Sequence, residues 1–180
     1  AYGSMFSYWL HSPSPEPYGS WGNGSAMRVS GAGWLYDTIE ETRKAARLSA
    51  EVTHNHEEGI KGAEATASAI FLGRNGGSKE EIKAYIEKEF GYDLSRSLSS
   101  IRPFYSFDGS CQGTVPESIM CFLEGESTED TIRNAISLGG DADTMGAIAG
   151  SIAEAYWKED LSLLVKPYLP EDIYSTLSRI

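Results

Sequence analysis

The sequence predicts an all-α fold, and three observations carry that reading. Apolar residues recur at helical spacing through most of the chain, with no sustained strand alternation. Helix-end signals sit where that spacing begins and stops: Ser78 with Glu81 has the capping-box pattern, and Gly91 closes the same segment. A run of small and apolar residues, Asp143 to Trp157, has the composition of a buried helix. With 180 residues, 41% hydrophobic and 23% charged, a single domain over residues 1–180 with one core is expected.

Taken in order, His11 to Ser25 (HSPSPEPYGSWGNGS) is too rich in Pro, Gly and Ser for a helix interior and is predicted as a long loop. Loops of that length inside compact domains tend to be functional or disordered. Trp34 to about Val52 is predicted as a helix, because Leu35, Ile39, Thr42, Ala46 and Ala50 fall near one face. A second helix passes through Ile60, Ala63, Ala67, Ile70 and Phe71 and ends near Gly73. In SKEEIKAYIEKEFG the apolar stripe is Ile82, Tyr85, Ile86 and Phe90. Ser95 to Cys111 is less periodic and reads as loop or short turns. Val115–Leu123 and Thr128–Leu138 read as two more helices, the second opened by Ser127. Asp160–Tyr168 and Pro170–Leu177 make two short terminal helices, with Pro170 near a start position.

The net charge of -11 and pI of about 4.7 describe an acidic surface. Such a surface repels phosphate backbones and anionic bilayers, so nucleic acid and membrane are poor partners, whereas divalent cations are good ones. No stretch is long and apolar enough to span a bilayer. Cys111 and Cys121 lack metal-ligand spacing and read as reduced thiols, and no signal peptide is recognisable, so a cytoplasmic location is expected.

The passage SLGGDADTMGAIAGSIAEAYW, Ser137 to Trp157, places two acids at the mouth of the buried helix. Residues two apart on a helix point to nearly opposite sides, so Asp141 and Asp143 converge only if Asp141 lies outside the first turn. Gly139 and Gly140 permit the tight backbone this needs. With the Thr144 hydroxyl, hard oxygen donors then face one point at a positive helix end, a set suited to Mg²⁺, Mn²⁺ or Ca²⁺ rather than zinc. The alternative is a plain N-cap, with one acid capping and the other solvated. An EF-hand fails, because Met145 and Ile152 stand where its fifth and twelfth positions need ligands. Gly146, Ala147, Ala149, Gly150 and Ala153 read as a close-packing face that holds the helix start still.

The motif GGDADTMGAIAG resembles the C-terminal metal motif of the ADP-ribosylglycohydrolase family. SWGNGSAMRVS (Ser20–Ser30) resembles that family's Gly-rich loop and following helix. SAEVTHNHEEGIKGAEATASAI (Ser49–Ile70) resembles its Thr-His segment and long helix, and Cys111–Thr144 resembles the run-up to the metal motif. The resemblance implies a compact multi-helix array around a cleft holding a pair of Mg²⁺ ions, with Mn²⁺ as a substitute. It implies a hydrolase that releases ADP-ribose from an acceptor, an arginine or serine side chain or a small molecule. Carried onto this chain, it makes Asp141, Asp143 and Thr144 metal ligands and the two acids catalytic. It makes Ser20, Trp21, Gly22, Asn23 and Gly24 the cradle of the diphosphate and distal ribose, and His54 a further substrate contact. Closely spaced glycines expose backbone N–H groups to phosphate oxygens, and Trp21 offers a face to an adenine; a plain turn is the alternative for the loop, and a locally bonded helix-start residue for His54. His56 reads as solvated. Two departures stand out. Gly31 replaces a frequent Pro, and the family's N-terminal Thr-Asp-Asp run is not found, Glu16 being an isolated acid before the loop. The chain is therefore expected to lack an N-terminal segment and to supply about half of a two-metal clamp. The rival expectations are a module that binds ADP-ribose or a related nucleotide without cleaving it, and a structural all-α protein.

Overall fold

The computed structural model describes residues 3–178. Twelve α-helices occur among them: α1 (Ser4–Leu10), α2 (Gly24–Met27), α3 (Ser30–Leu35), α4 (Ile39–Glu51), α5 (Glu57–Arg74), α6 (Lys79–Phe90), α7 (Leu98–Ile101), α8 (Cys111–Glu124), α9 (Thr128–Leu138), α10 (Ala142–Trp157), α11 (Ser162–Val165) and α12 (Glu171–Leu177), with a 3₁₀ turn at Lys166–Tyr168. Among the described residues there is no strand, only an isolated antiparallel bridge between Gly22 and Ser110, so the all-α expectation holds.

Helix α5 is the hub. Its residues from Gly59 to Ile70 include Ala63, Ala65, Ala67 and Ala69, all fully buried, and it packs against α2, α3, α4, α6, α8 and α10. Small side chains let those neighbours come close. A Cβ on Gly62 would lie 2.5 Å from Cys111 Sγ, and one on Gly33 of α3 would lie 2.5 Å from Ile70 Cγ2. One acid is buried in this helix, Glu64, and it is neutralised by Arg43 Nε at 3.0 Å and Arg47 Nη2 at 2.8 Å from α4. Burying that carboxylate unpaired would cost several kcal/mol, roughly, so α4 and α5 are tied by charge as well as packing.

The main core lies on the other side, where Ile70, Ile82, Ile86, Ile119, Phe122, Ile148 and Ile152 meet. Lys79 at the start of α6 donates through Nζ to the Leu123 carbonyl (3.2 Å) and the Gly125 carbonyl at the end of α8, above the Trp157 ring at 4.8 Å. A cation there complements the exposed carbonyls of a helix C-terminus. Cys121 of α8 is buried beside this region and, like Cys111, carries a free thiol.

Several boundaries agree with the spacing argument. Ser78 and Glu81 form the capping box of α6, Gly91 ends it with φ +66°, and α9 runs from Thr128 to Leu138. Others correct it. The single helix expected over 34–52 is two, because Thr38 Oγ1 accepts from the Glu41 N–H and starts α4 afresh. Helix α8 begins at Cys111 rather than Val115, since Ser110 Oγ accepts from the Gly113 N–H and Pro116 is carried in the second turn. The short Ser97-capped α7 lies in the stretch expected to be loop or short turns, and α1 precedes the Pro- and Gly-rich loop. The helix expected over 160–168 is α11 followed by the 3₁₀ turn, and Pro170 precedes α12 as its cap.

Gly62→Ala should lower the unfolding free energy by about 1–3 kcal/mol, because the methyl group overpacks the α5–α8 contact. Gly31→Ala, whose Cβ would meet nothing within 4 Å, should not. Urea denaturation of the two variants checks the contrast.

Candidate functional site

The chain enters α10 through two left-handed glycines, Gly139 (φ +75°) and Gly140 (φ +66°). They place Asp141 just outside the first turn, as the convergence argument requires. Asp141 does not cap its own helix: its side chain makes no capping bond, and its Oδ2 accepts a hydrogen bond from Asn23 Nδ2 at 2.6 Å. Asp143 is exposed in the first turn, and the Asp141 side chain beside it, with the Thr144 and Asp143 N–H groups, holds its carboxyl below the usual range. Thr144 is buried and its hydroxyl donates to Met27 Sδ at 3.5 Å. Among the described residues, neither acid takes part in an ion pair.

The glycine-rich loop is pinned across from this helix start. The Cys111 N–H donates to the Trp21 carbonyl (2.9 Å), and the Asn23 N–H donates to the Gly109 carbonyl (2.8 Å). Gly22 N–H donates to Ser20 Oγ at 3.1 Å. Neither Gly22 nor Gly24 has a positive φ, so the glycines are not there for a left-handed turn. Gly24 makes room for His54, since a Cβ there would lie 3.3 Å from His54 Nε2; at Gly22 the tightest contact of a Cβ would be Ser20 Oγ at 3.2 Å, with His54 Nε2 at 3.6 Å.

Arg28, Thr53 and His54 form a hydrogen-bonded chain. Arg28 Nη2 donates to Thr53 Oγ1 at 2.9 Å, and the Thr53 hydroxyl shares a hydrogen bond with His54 Nδ1 at 2.7 Å. When the hydroxyl is the donor, the ring proton sits on Nε2, facing Gly22 and Gly24. His54 is 7% exposed, and desolvation, with a smaller contribution from the Arg28 charge, pushes its pKa down to about 4. It is therefore neutral at pH 7, with Nε2 turned toward the glycine-rich loop. His56, expected to be solvated, is exposed but does work: its Nδ1 accepts from the Glu58 N–H to cap α5, and its ring meets the edge of Trp21 at 5.5 Å. Trp21 itself is 54% exposed.

The structure thus gathers the predicted Asn23, Asp141, Asp143 and Thr144 at one helix start, and Ser20, Gly22, Gly24 and His54 around one loop. It adds Arg28, Thr53, Thr114 and Met27, which spacing did not single out. The donor set of two carboxylates and a hydroxyl has the hard-oxygen character Mg²⁺ selects. Among the described residues no group of three or more His, Cys, Asp or Glu side chains gathers to hold an ion. An ion here would complete its roughly six positions with water or other oxygen donors.

A many-helix fold with an acid pair facing a glycine loop defines the class, and the comparisons agree. Residues 1–177 match the ADP-ribosylglycohydrolase family model, and the chain belongs to that family. It is 31% identical over 189 residues to ADP-ribosylhydrolase ARH3 of Homo sapiens, covering 79% of this chain and 52% of that protein. The ARH3 of Mus musculus is 32% identical over 184 residues, covering 77% and 50%. A solved structure described as an ADP-ribosylglycohydrolase-related protein complex superposes with a TM-score of 0.65 at 26% identity, covering 83% of this chain and 56% of that one. The chain spans about half the length of the curated relatives it matches.

The depressed His54 pKa carries a sign. The unfolded chain takes up a proton near pH 6.5, and the folded one only near pH 4, so stability from the neutral ring is present above pH 6.5 and is lost on acidification toward pH 4. His54→Gln should flatten that part of the melting-temperature profile relative to wild type, while the slope from carboxylates remains. Parallel slopes between pH 6.5 and 4 would show that the ring titrates freely.

Proposed function

We propose that the protein is a Mg²⁺-dependent hydrolase that removes ADP-ribose from a modified acceptor, a protein side chain or a small molecule. The observation that supports it most is the 2.6 Å bond from Asn23 to Asp141, which sets the acid pair directly against the glycine-rich loop. In this reading Ser20 to Gly24 bind the diphosphate and distal ribose, with Trp21 presenting an open aromatic face to the base. The Nε2–H of His54 donates to the bound ligand. Asp141, Asp143 and the Thr144 hydroxyl would hold Mg²⁺, or Mn²⁺ in its place, which when bound supplies positive charge to ribose hydroxyls and to a water. The two carboxylates would orient a water toward the anomeric carbon and accept its proton as the bond to the acceptor breaks; the acceptor leaves with that bonding pair and takes up the proton. No helix among the described residues is long and apolar enough to cross a membrane. The free, buried thiols of Cys111 and Cys121 are compatible with the cytoplasmic location proposed.

A second reading, a module that holds ADP-ribose without cleaving it, is favoured by the short ligand set of two acids and one hydroxyl. One experiment separates the two: release of ADP-ribose from an ADP-ribosylated protein with added Mg²⁺, beside calorimetry with free ADP-ribose, using the full-length protein. The hydrolase reading expects turnover that falls by at least about a hundredfold in Asp141→Ala and in Asp143→Ala. Tight ADP-ribose binding without turnover in the wild type would establish the binding module instead. Mn²⁺ should raise the melting temperature of the wild type, and that rise should disappear in the same variants.

A further inference from the structure

We propose that Asn23 is a positioning residue for Asp141, and that the glycine loop and the cation site are thereby one mechanical unit. The inference rests on the reading of Asp141 as a cation ligand.

Asn23 is 8% exposed, and both amide protons are spent. One goes to Asp141 Oδ2 at 2.6 Å and the other to Thr114 Oγ1 at 3.1 Å. Thr114 can accept because its own proton goes to the Asp108 carbonyl at 2.8 Å. This chain of donors fixes which end of the Asn23 amide is nitrogen, and it leaves the NH₂ group nothing to offer a substrate. Asp141 in turn has no capping bond and, among the described residues, no cationic partner. A carboxylate on a helix-start residue otherwise rotates freely or turns inward onto the free N–H groups of its own first turn. The charge-assisted bond from Asn23 opposes both: it holds Oδ2 and keeps the carboxyl beside Asp143.

The same short helix makes a second bond of this kind. Met27 lies one turn after Asn23, its N–H donating to the Asn23 carbonyl at 2.9 Å, so both side chains share a face. Met27 Sδ takes the Thr144 proton, which turns the lone pairs of that hydroxyl away from the sulfur. Helix α2 therefore braces the first turn of α10 through two side chains, at the end of the loop assigned to the diphosphate. Outer partners that orient metal ligands in this way matter nearly as much as the ligands.

The test uses full-length protein without substrate and reads Mn²⁺ affinity by the electron paramagnetic resonance of the free ion. Asn23→Ala should weaken Mn²⁺ binding by about 10–100-fold, with the ion-free melting curve still cooperative. Asn23→Leu fills the same space without a donor, and decides the question in the same way if the alanine variant does not fold. Adding Asn23→Ala to Asp141→Ala should cause no further loss, since the first residue acts through the second. Unchanged Mn²⁺ affinity in the folded Asn23 variant, while Asp141→Ala loses it, overturns this proposal alone and returns Asn23 to the substrate loop. Additive losses in the double variant overturn it as well. Unchanged affinity in Asp141→Ala would instead remove the cation reading, and this inference with it.

Discussion

Ala63, Ala65, Ala67 and Ala69 are all fully buried, so the middle of α5, from Gly62 to Ile70, has no face left for solvent, and the helices around it approach a surface with little side-chain relief. That constraint decides what the neighbours carry at the contact. Where α8 crosses, α5 offers Gly62 and α8 brings Cys111; where α3 crosses, α3 offers Gly33 and α5 brings Ile70. Close packing of small residues also holds the heads of the surrounding helices to a narrow range of positions. The N-terminus of α8 and the turn before α5 are both fixed this way, through Gly62 against Cys111 and Gly59 against the Ser20 and His54 carbonyls, and the glycine loop hangs between them. A second, electrostatic tie through Glu64 keeps α4 from sliding along the same helix.

The candidate site follows from where that packing leaves helix ends. The loop borrows its order from α8 through the Trp21 and Gly109 carbonyls and from the Thr53–His54 turn before α5. The acid pair borrows its order from α10, which packs on α5 and α8. Among the described residues, Asn23 and Met27 carry the side-chain hydrogen bonds that bridge the two. An acidic protein needs such a device more than most. Carboxylates at a crowded negative surface drift toward water unless a neutral donor claims them, and a neutral donor preserves the negative charge a cation requires.

Much of this architecture is legible in the sequence because it is local. Ser78, Glu81 and Gly91 delimit α6 with short-range hydrogen bonds alone, and Ser127 does the same for α9. Asp141 and Asp143 are legible for the same reason, since the two glycines before them force the turn. The Thr38–Glu41 pair carried an equally local signal, masked by an apolar stripe that runs through both α3 and α4. Helix α8 departs in the other direction: it starts at Cys111 rather than Val115, and tertiary burial carries Pro116 in its second turn. What spacing could not show is long-range. Asn23 and Asp141 are 118 residues apart, and Arg28 meets Thr53 across 25, so their pairing exists only once α5 has gathered the helices around it.

The two cysteines give α8 a property of a different kind. Cys111 lies at the site end, donating from Sγ to the Gly22 carbonyl at 3.1 Å, and burial pushes its thiol up to about 11. Cys121 lies nearly three turns further on, where burial, with the Glu117 and Glu124 charges, pushes its thiol up to about 12. Only a thiolate reacts, so both are silent at neutral pH while the helix is covered. Each then becomes a clock for its own end of the molecule. The alkylation rate of Cys111 times the peeling of the loop from the head of α8, and that of Cys121 times the opening of the main core. Two rates that track one another under mild denaturant would mean the site opens only when the whole protein does. A faster Cys111 would mean the loop breathes on its own.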